Sequence, residues 1–215
     1  MSDGGQVLDT ERLRAGVLSA CARVLAARAE LTSLDAAAGD GDLGESLAIG
    51  FAAVAKELRD GEAGDAGAVL LRAGTALSRS APSTFGTLLG MAWRDAGRAL
   101  AGHTELTAAD VVRALDVMAA GVARRGDVGP GQRTVLDGLL ASRDRAAAAG
   151  ADAFAALAAA ADGARAGAEA TASMRPQVGR AGWIGERAQG RPDAGASAWA
   201  VIADGIATGA GATQH

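Results

Sequence analysis

The chain has 215 residues, enough for one large domain, with 49% apolar residues to fill a core but only 3% aromatic ones. Its formal net charge of −4, with no basic block and no aromatic-basic interleaving, argues against a nucleic-acid binder. No run of eighteen strongly apolar residues is present to span a bilayer, "MSDGGQVLDTER" lacks a signal peptide's apolar core, and the single Cys21 cannot form an internal disulfide, so a soluble cytoplasmic protein is expected.

Residues 1–6 are expected to be disordered. From Asp9 to about Glu30, Leu13, Val17, Leu18, Cys21, Val24 and Leu25 recur at spacings of three and four, which predicts a first helix. A second should run from about Gly44 to Asp60 with Leu47, Phe51, Val54 and Leu58 inward, and a third from about Ala66 to Arg79. The fourth begins near Thr84 and ends near Gly102. The fifth opens at Thr107 with "TAAD", a start of the capping-box kind. "RTVLDGLLASRDRAAAAG" gives the sixth, Ala151 to about Ser173 the seventh, and Ser197 to about Ala210 the eighth. No alternating strand pattern stands out. One all-α domain over residues 1–215 is the economical reading, with an up-down bundle as the natural way to join such helices.

Four connections carry candidate chemistry. In "AGDGDLG", Asp40 and Asp42 lie among Gly39, Gly41 and Gly44, with Asp35 just upstream. Carboxylates this close repel one another unless a cation or hydrogen-bond donors compensate them. A hard cation such as Mg²⁺ prefers such oxygen ligands and commonly shares them with phosphate. A capping reading is equally open: Asp42 and Glu45 stand three apart at a helix start. In "SAPSTFGTLLG", Ser83 and Thr84 could cap the next helix and face an anion. "GDVGPGQRTVLDG" is a glycine-rich approach to a helix, with Thr134 near its start. In "GRAGWIGERAQGRPDAGASA", Arg180, Arg187 and Arg191 lie near Asp193 and Gly195; they could meet phosphates or form surface ion pairs.

The order of these segments resembles the L subunit of dihydroxyacetone kinases, from about Leu13 to Ala207. Asp35 with Gly39–Gly44 is similar to an aspartate followed by G-D-G-D-x-G, and "STFGTLLG" to G-T-S-G-x-L-x-G. "RTVLDGL" is similar to K-T-M-L-D-x-L. "GRAGWIGERAQGRPDAGA" resembles the signature G-R-A-x-x-x-G-E-R-x-x-G-x-x-D-P-G-A, which favours this family over the related domain of fatty-acid kinases. The resemblance implies an eight-helix antiparallel barrel with a nucleotide site at one end, holding ADP or ATP through two Mg²⁺ ions. It implies Asp35, Asp40 and Asp42 as metal-binding and catalytic residues, with Arg180 as a catalytic neutraliser of charge. It further implies nucleotide contacts from Gly44, Glu45, Ser46, Thr84, Phe85, Gly126, Thr134, Val135, Arg180, Asp193, Ala194 and Gly195.

The implied activity is phosphoryl transfer to dihydroxyacetone or a related small ketose held by a partner K-type subunit, so the chain is expected to be inactive alone. A phosphotransferase-system phosphoryl donor protein and a homodimer are also compatible with the resemblance. Leu43 stands where the family has histidine, and Glu45 and Ser46 where it has threonine and asparagine. Ala81, Pro82, Ser83 and Phe85 also depart from its glycine- and serine-rich positions. These departures imply weaker, exchangeable nucleotide binding, and they support the alternative of a non-catalytic nucleotide-binding or regulatory protein.

Overall fold

Apolar residues at helical spacing, with side-chain caps at most starts, build nine α-helices among the described residues. The computed structural model describes residues 5–61, 64–175 and 190–212. The helices are α1 Thr10–Ala26, α2 Arg28–Ala36, α3 Leu43–Asp60, α4 Ala66–Ser80, α5 Thr84–Ala99, α6 Ala108–Gly126, α7 Val135–Ala148, α8 Ala153–Ala170 and α9 Ala194–Ala210. A 3₁₀ turn, Thr171–Ser173, follows α8. Two short strands, β1 Leu8–Asp9 and β2 Glu105–Leu106, pair antiparallel with Leu8 opposite Leu106.

Eight of the helices close a ring. In chain order α1 packs on α3, and each of α3 to α8 packs on the next; α9 then returns to α1. This is the expected eight-helix antiparallel barrel, with α2 added outside it against α3 and α9. The alternation sends the N-termini of α3, α5, α7 and α9 to one end and those of α1, α4, α6 and α8 to the other. No helix among the described residues is long and apolar enough to cross a membrane.

Small residues replace aromatic bulk by letting backbones approach. A Cβ on Gly74 of α4 would lie 2.5 Å from the carbonyl oxygen of Gly90 on α5, and one on Gly90 would lie 2.7 Å from that of Gly74. The few large rings fill the interior. Phe51 and Trp93 meet edge to face at 5.9 Å, and the Trp199 indole donates to Ser142 Oγ at 2.8 Å. Each fully buried Leu or Phe contributes roughly 1.5–3 kcal/mol relative to exposure, so residues such as Leu47, Leu77 and Leu139, all at 0% exposure, supply the bulk of the cohesion.

The structure corrects three boundaries. The first expected helix is broken at Ala27 into α1 and α2; α2 then lays Leu31 into the core, while Leu25, expected inward, is exposed. The last helix starts at Ala194 rather than Ser197, because Asp193 caps it by accepting from the Ala196 amide at 2.7 Å. Gln6, within the stretch expected to be disordered, is tied to the start of α8: its amide donates to Asp152 Oδ2 at 3.0 Å, and its carbonyl accepts from the Ala153 amide at 2.9 Å.

Candidate metal and anion site

Asp35 lies in the last turn of α2, and Asp40 and Asp42 occupy the tight connection to α3. One carboxylate oxygen from each lies within 4.8 Å of the others. Gly41, at φ 75°, takes a conformation that L side chains rarely adopt and reverses the chain between the two exposed aspartates. Gly44 lets α3 start against α2: a Cβ there would stand 2.2 Å from the Arg28 carbonyl oxygen. Asp35, half-buried, fixes the turn from below. Its Oδ2 accepts from the Asp42 amide at 3.0 Å and the Leu43 amide at 3.2 Å.

The capping reading of Asp42 fails. Asp42 stands at the N-cap position of α3 in helical conformation, φ −101° and ψ −10°, and its side chain makes no capping bond. A capping residue normally needs an extended backbone to turn its oxygen back on the helix. Glu45 does not close a box either; it pairs with Arg28 on α2 at 2.6 Å. The first turn of α3 is therefore not capped by its own N-cap residue; Asp35 takes the Leu43 amide from outside the helix, and the positive end of α3 lies beside three gathered carboxylates.

The other expected segments converge on this end. Ser83 caps α5 by accepting from the Gly86 amide at 3.1 Å, and the Ser46 hydroxyl donates to Ser83 Oγ at 2.6 Å. Ser46 is buried, so its side chain braces α3 against α5. A Cβ on Gly195 would lie 2.9 Å from Phe85 Cε2, which sets the start of α9 beside that of α5. Gly126, ending α6, faces Leu88 of α5. Between α5 and α6 runs a groove of about 540 Å³ lined by Pro82, Thr84, Thr87, Leu88, Met91 and Arg125. Arg125 is held at its wall by two bonds to Asp95, at 2.5 and 3.1 Å. A larger hollow of about 660 Å³ lies between α3 and α4, among Lys56, Glu57, Asp60, Arg72 and Arg79, and touches none of the site residues.

At α7, Thr134 caps the helix and shares a capping box with Asp137. Val135 and Ala194, both expected at the nucleotide, are buried with the core. Leu43 is buried there too. Asp193 begins α9, and burial pushes its carboxyl up to about 6; bonds from the Ala196 and Gly195 amides and the charge of Arg133 pull it down, while Asp137 adds to the rise. Arg180 and Arg187 lie outside the described residues. Arg133, Thr171 and Arg28 were not singled out by sequence reasoning. Arg133 carries the one available hint, its place directly before the Thr134–Asp137 box.

Comparison with known proteins places the fold in a family. The family model described as the DAK2 domain matches residues 37–208. The chain belongs to the DAK2-domain family. This DAK2 domain is 37% identical over 180 residues to L-erythrulose 1-kinase of Mycolicibacterium smegmatis, covering 81% of this chain and 31% of that protein. It is 30% identical over 184 residues to the ADP-binding subunit of the PEP-dependent dihydroxyacetone kinase of Escherichia coli, covering 84% of this chain and 88% of that subunit. The dihydroxyacetone kinase from C. freundii in complex with AMP-PNP and Mg²⁺ superposes with a TM-score of 0.73 at 25% identity, over 97% of this chain and 36% of that one. The DAK2 domain thus spans about a third of two of these relatives and most of the third. Its relatives are kinases, and its fold is that of a kinase nucleotide-binding domain.

Proposed function

We propose that this DAK2 domain carries a Mg²⁺-nucleotide for phosphoryl transfer to a small ketose. The observation that carries the reading is the convergence of Asp35, Asp40 and Asp42 within 4.8 Å beside a helix start that Asp42 does not cap. The donor set is all oxygen and anionic, which suits a hard divalent cation shared with phosphate. The three aspartates would hold two Mg²⁺ ions, and bound Mg²⁺ would neutralise phosphate charge during transfer. The Gly44 and Glu45 amides would meet phosphate oxygens at the α3 N-terminus. The groove along Thr84, Thr87, Leu88 and Met91 would take the base, with Gly126, Thr134 and the Asp193–Gly195 turn completing the surround. Arg180 is assigned as a charge-neutralising catalytic residue on the resemblance of its segment.

The E. coli relative is named a subunit, and this chain covers most of it. That supports a two-component enzyme in which a K-type partner holds dihydroxyacetone, erythrulose or a similar ketose. Neither His103 nor His215 lies in a motif for anchoring such a substrate. We assign ATP as the donor; a phosphotransferase-system protein, suggested by the E. coli relative's PEP-dependent name, is the competing one. The free, buried Cys21 is compatible with a cytoplasmic setting. The non-catalytic alternative rested on Leu43 and Glu45. The Glu45–Arg28 pair weakens it, because the added carboxylate is already matched by a cation.

The test is a kinase assay with ATP, Mg²⁺ and a panel of triose and tetrose ketoses, run on the chain alone and on the chain co-expressed with a K-type subunit. Turnover is expected only for the pair. Robust turnover by the isolated chain would refute the two-component reading. A pair that neither turns over nor binds Mg²⁺-ADP would refute the kinase reading itself.

A further inference from the structure

Arg133 is 3% exposed and sits at φ 62°, a left-handed conformation unusual for a residue with a side chain. A buried charge in a strained backbone is retained only where its surroundings hold it. Its Nε donates to the Thr171 carbonyl at 3.2 Å and one terminal nitrogen to the Arg191 carbonyl at 2.9 Å. In the sequence these two carbonyls are twenty positions apart, one after α8 and one before α9. Thr171, fully buried, continues the brace: its Oγ1 accepts from the Asp193 amide at 2.7 Å and donates to the Ala168 carbonyl. The Gly190 amide donates to the Ala172 carbonyl at 3.1 Å.

The charge of Arg133 bears on Asp193, one of two acids that hold helix starts here. Asp137 closes the capping box of α7 and accepts from the Gly131 amide at 2.6 Å. Asp193 caps α9. The charge of Asp137 opposes ionisation of Asp193, and the Arg133 guanidinium draws Asp193 toward its ionised form. One side chain therefore ties the α6–α7 connection to the end of α8 and to the start of α9.

We propose that Arg133 is a positioning residue that locks the N-terminal turns of α7 and α9 in one register, so that Thr134 and the Asp193–Gly195 turn meet the same nucleotide. The inference rests on the nucleotide reading above. Arg133 is neither a member of the acidic cluster nor a lining residue of the groove, so it acts through Thr171, Asp193 and the α7 cap.

The experiment is calorimetric titration of Mg²⁺-ADP into wild type, Arg133→Met, Arg133→Lys and Thr171→Val, with thermal unfolding and amide hydrogen exchange on each. Arg133→Met is expected to weaken affinity about tenfold or more, the scale of losing hydrogen bonds to a charged group. Exchange at Asp193–Ser197 should quicken while the midpoint of unfolding moves by only a few degrees. Arg133→Lys, which keeps the charge, should recover part of the affinity. If wild type binds and Arg133→Met binds equally well, the positioning role is wrong while the nucleotide reading stands. If wild type does not bind, the nucleotide reading falls and the role falls with it. If Arg133→Met does not fold, Thr171→Val decides: about tenfold weakening supports the brace, and unchanged affinity overturns it.

Discussion

At the end of the barrel away from the acidic cluster, Asp9, Asp65 and Asp152 stand at the N-cap positions of α1, α4 and α8. Each has extended backbone, and each turns a carboxylate oxygen onto an amide one turn in, of Arg12, Ala68 and Ala155 respectively, at 2.7–2.8 Å. Asp65 and Asp152 use their second oxygens as well, on the Gly102 and Gln6 amides. Asp42 stands at the same position of α3, but with helical backbone and no capping bond. The same residue type at the same place in the helix thus takes two different arrangements. Three aspartates are consumed by their own fold. The fourth stands with two other carboxylates, one oxygen of each within 4.8 Å of the others, an arrangement suited to a hard cation.

The largest expected effect separates these two groups. Asp40→Ala should lower Mg²⁺-dependent ADP affinity by roughly 100-fold or more, because phosphate and carboxylate would then share too few ligands for the metal. Calorimetry with ADP and Mg²⁺ checks it, and unchanged affinity would remove the metal assignment. Asp65→Ala should do the reverse. It should cost about 1–2 kcal/mol in chemical denaturation, the usual value of a lost N-cap, and leave ADP affinity intact.

The pH dependence sharpens the contrast. Backbone donors hold Asp152 below the usual carboxylate range. Its contribution is therefore present above the unfolded value of 3.8 and is lost as pH falls through the lower folded value. Asp193, at the other end, is raised to about 6 by burial. Its contribution is fully present below about 3.8 and is lost as pH rises through about 6. Unfolding midpoints measured from pH 4 to 7 should show wild type losing stability relative to Asp193→Asn as pH rises, by about 1–3 kcal/mol at most on the scale of ~1.4 kcal/mol per pKa unit. Asp152→Asn should show no such loss over that range. A parallel trend in both variants would contradict the difference drawn between the two ends.

The smallest effect concerns the outside of the site. Arg28→Ala breaks an exposed ion pair, so it should change stability by less than about 0.5 kcal/mol. Freed from Arg28, Glu45 would bear on the neighbouring acidic turn, so ADP retention after dialysis should fall relative to wild type. Equal retention would show that Glu45 lies too far from the phosphates to matter.

Much of the barrel was legible from the sequence because each helix repeats apolar residues at its own period, as Leu47, Phe51, Val54 and Leu58 do on α3. The break at Ala27 was not, since no glycine, proline or cap marks it; α2 diverges to reach α3, a contact that local pattern does not encode. The start of α9 was missed because "DAGA" reads as loop until Asp193 is seen to cap it. The acidic cluster was visible from spacing alone. Whether Asp42 caps α3 was not, because "DLGE" is compatible with a cap and only the backbone angles at Asp42 exclude it. Arg133 and Thr171 were hidden for another reason: they meet across 38 positions, through a carbonyl that any residue would present.

The central claim is that Asp42 is a ligand and not a cap. The most direct measurement is a pair of readings on Asp42→Ala: thermal unfolding without ligand, and calorimetric titration with Mg²⁺-ADP. A cap costs about 1 kcal/mol when removed, whereas removing a ligand from this turn should cost stability little or relieve repulsion. The expected result is an unfolding midpoint equal to or above that of wild type, with Mg²⁺-ADP binding reduced by roughly 100-fold. A lowered midpoint with unchanged binding would contradict the account and return Asp42 to the ordinary role of its three counterparts.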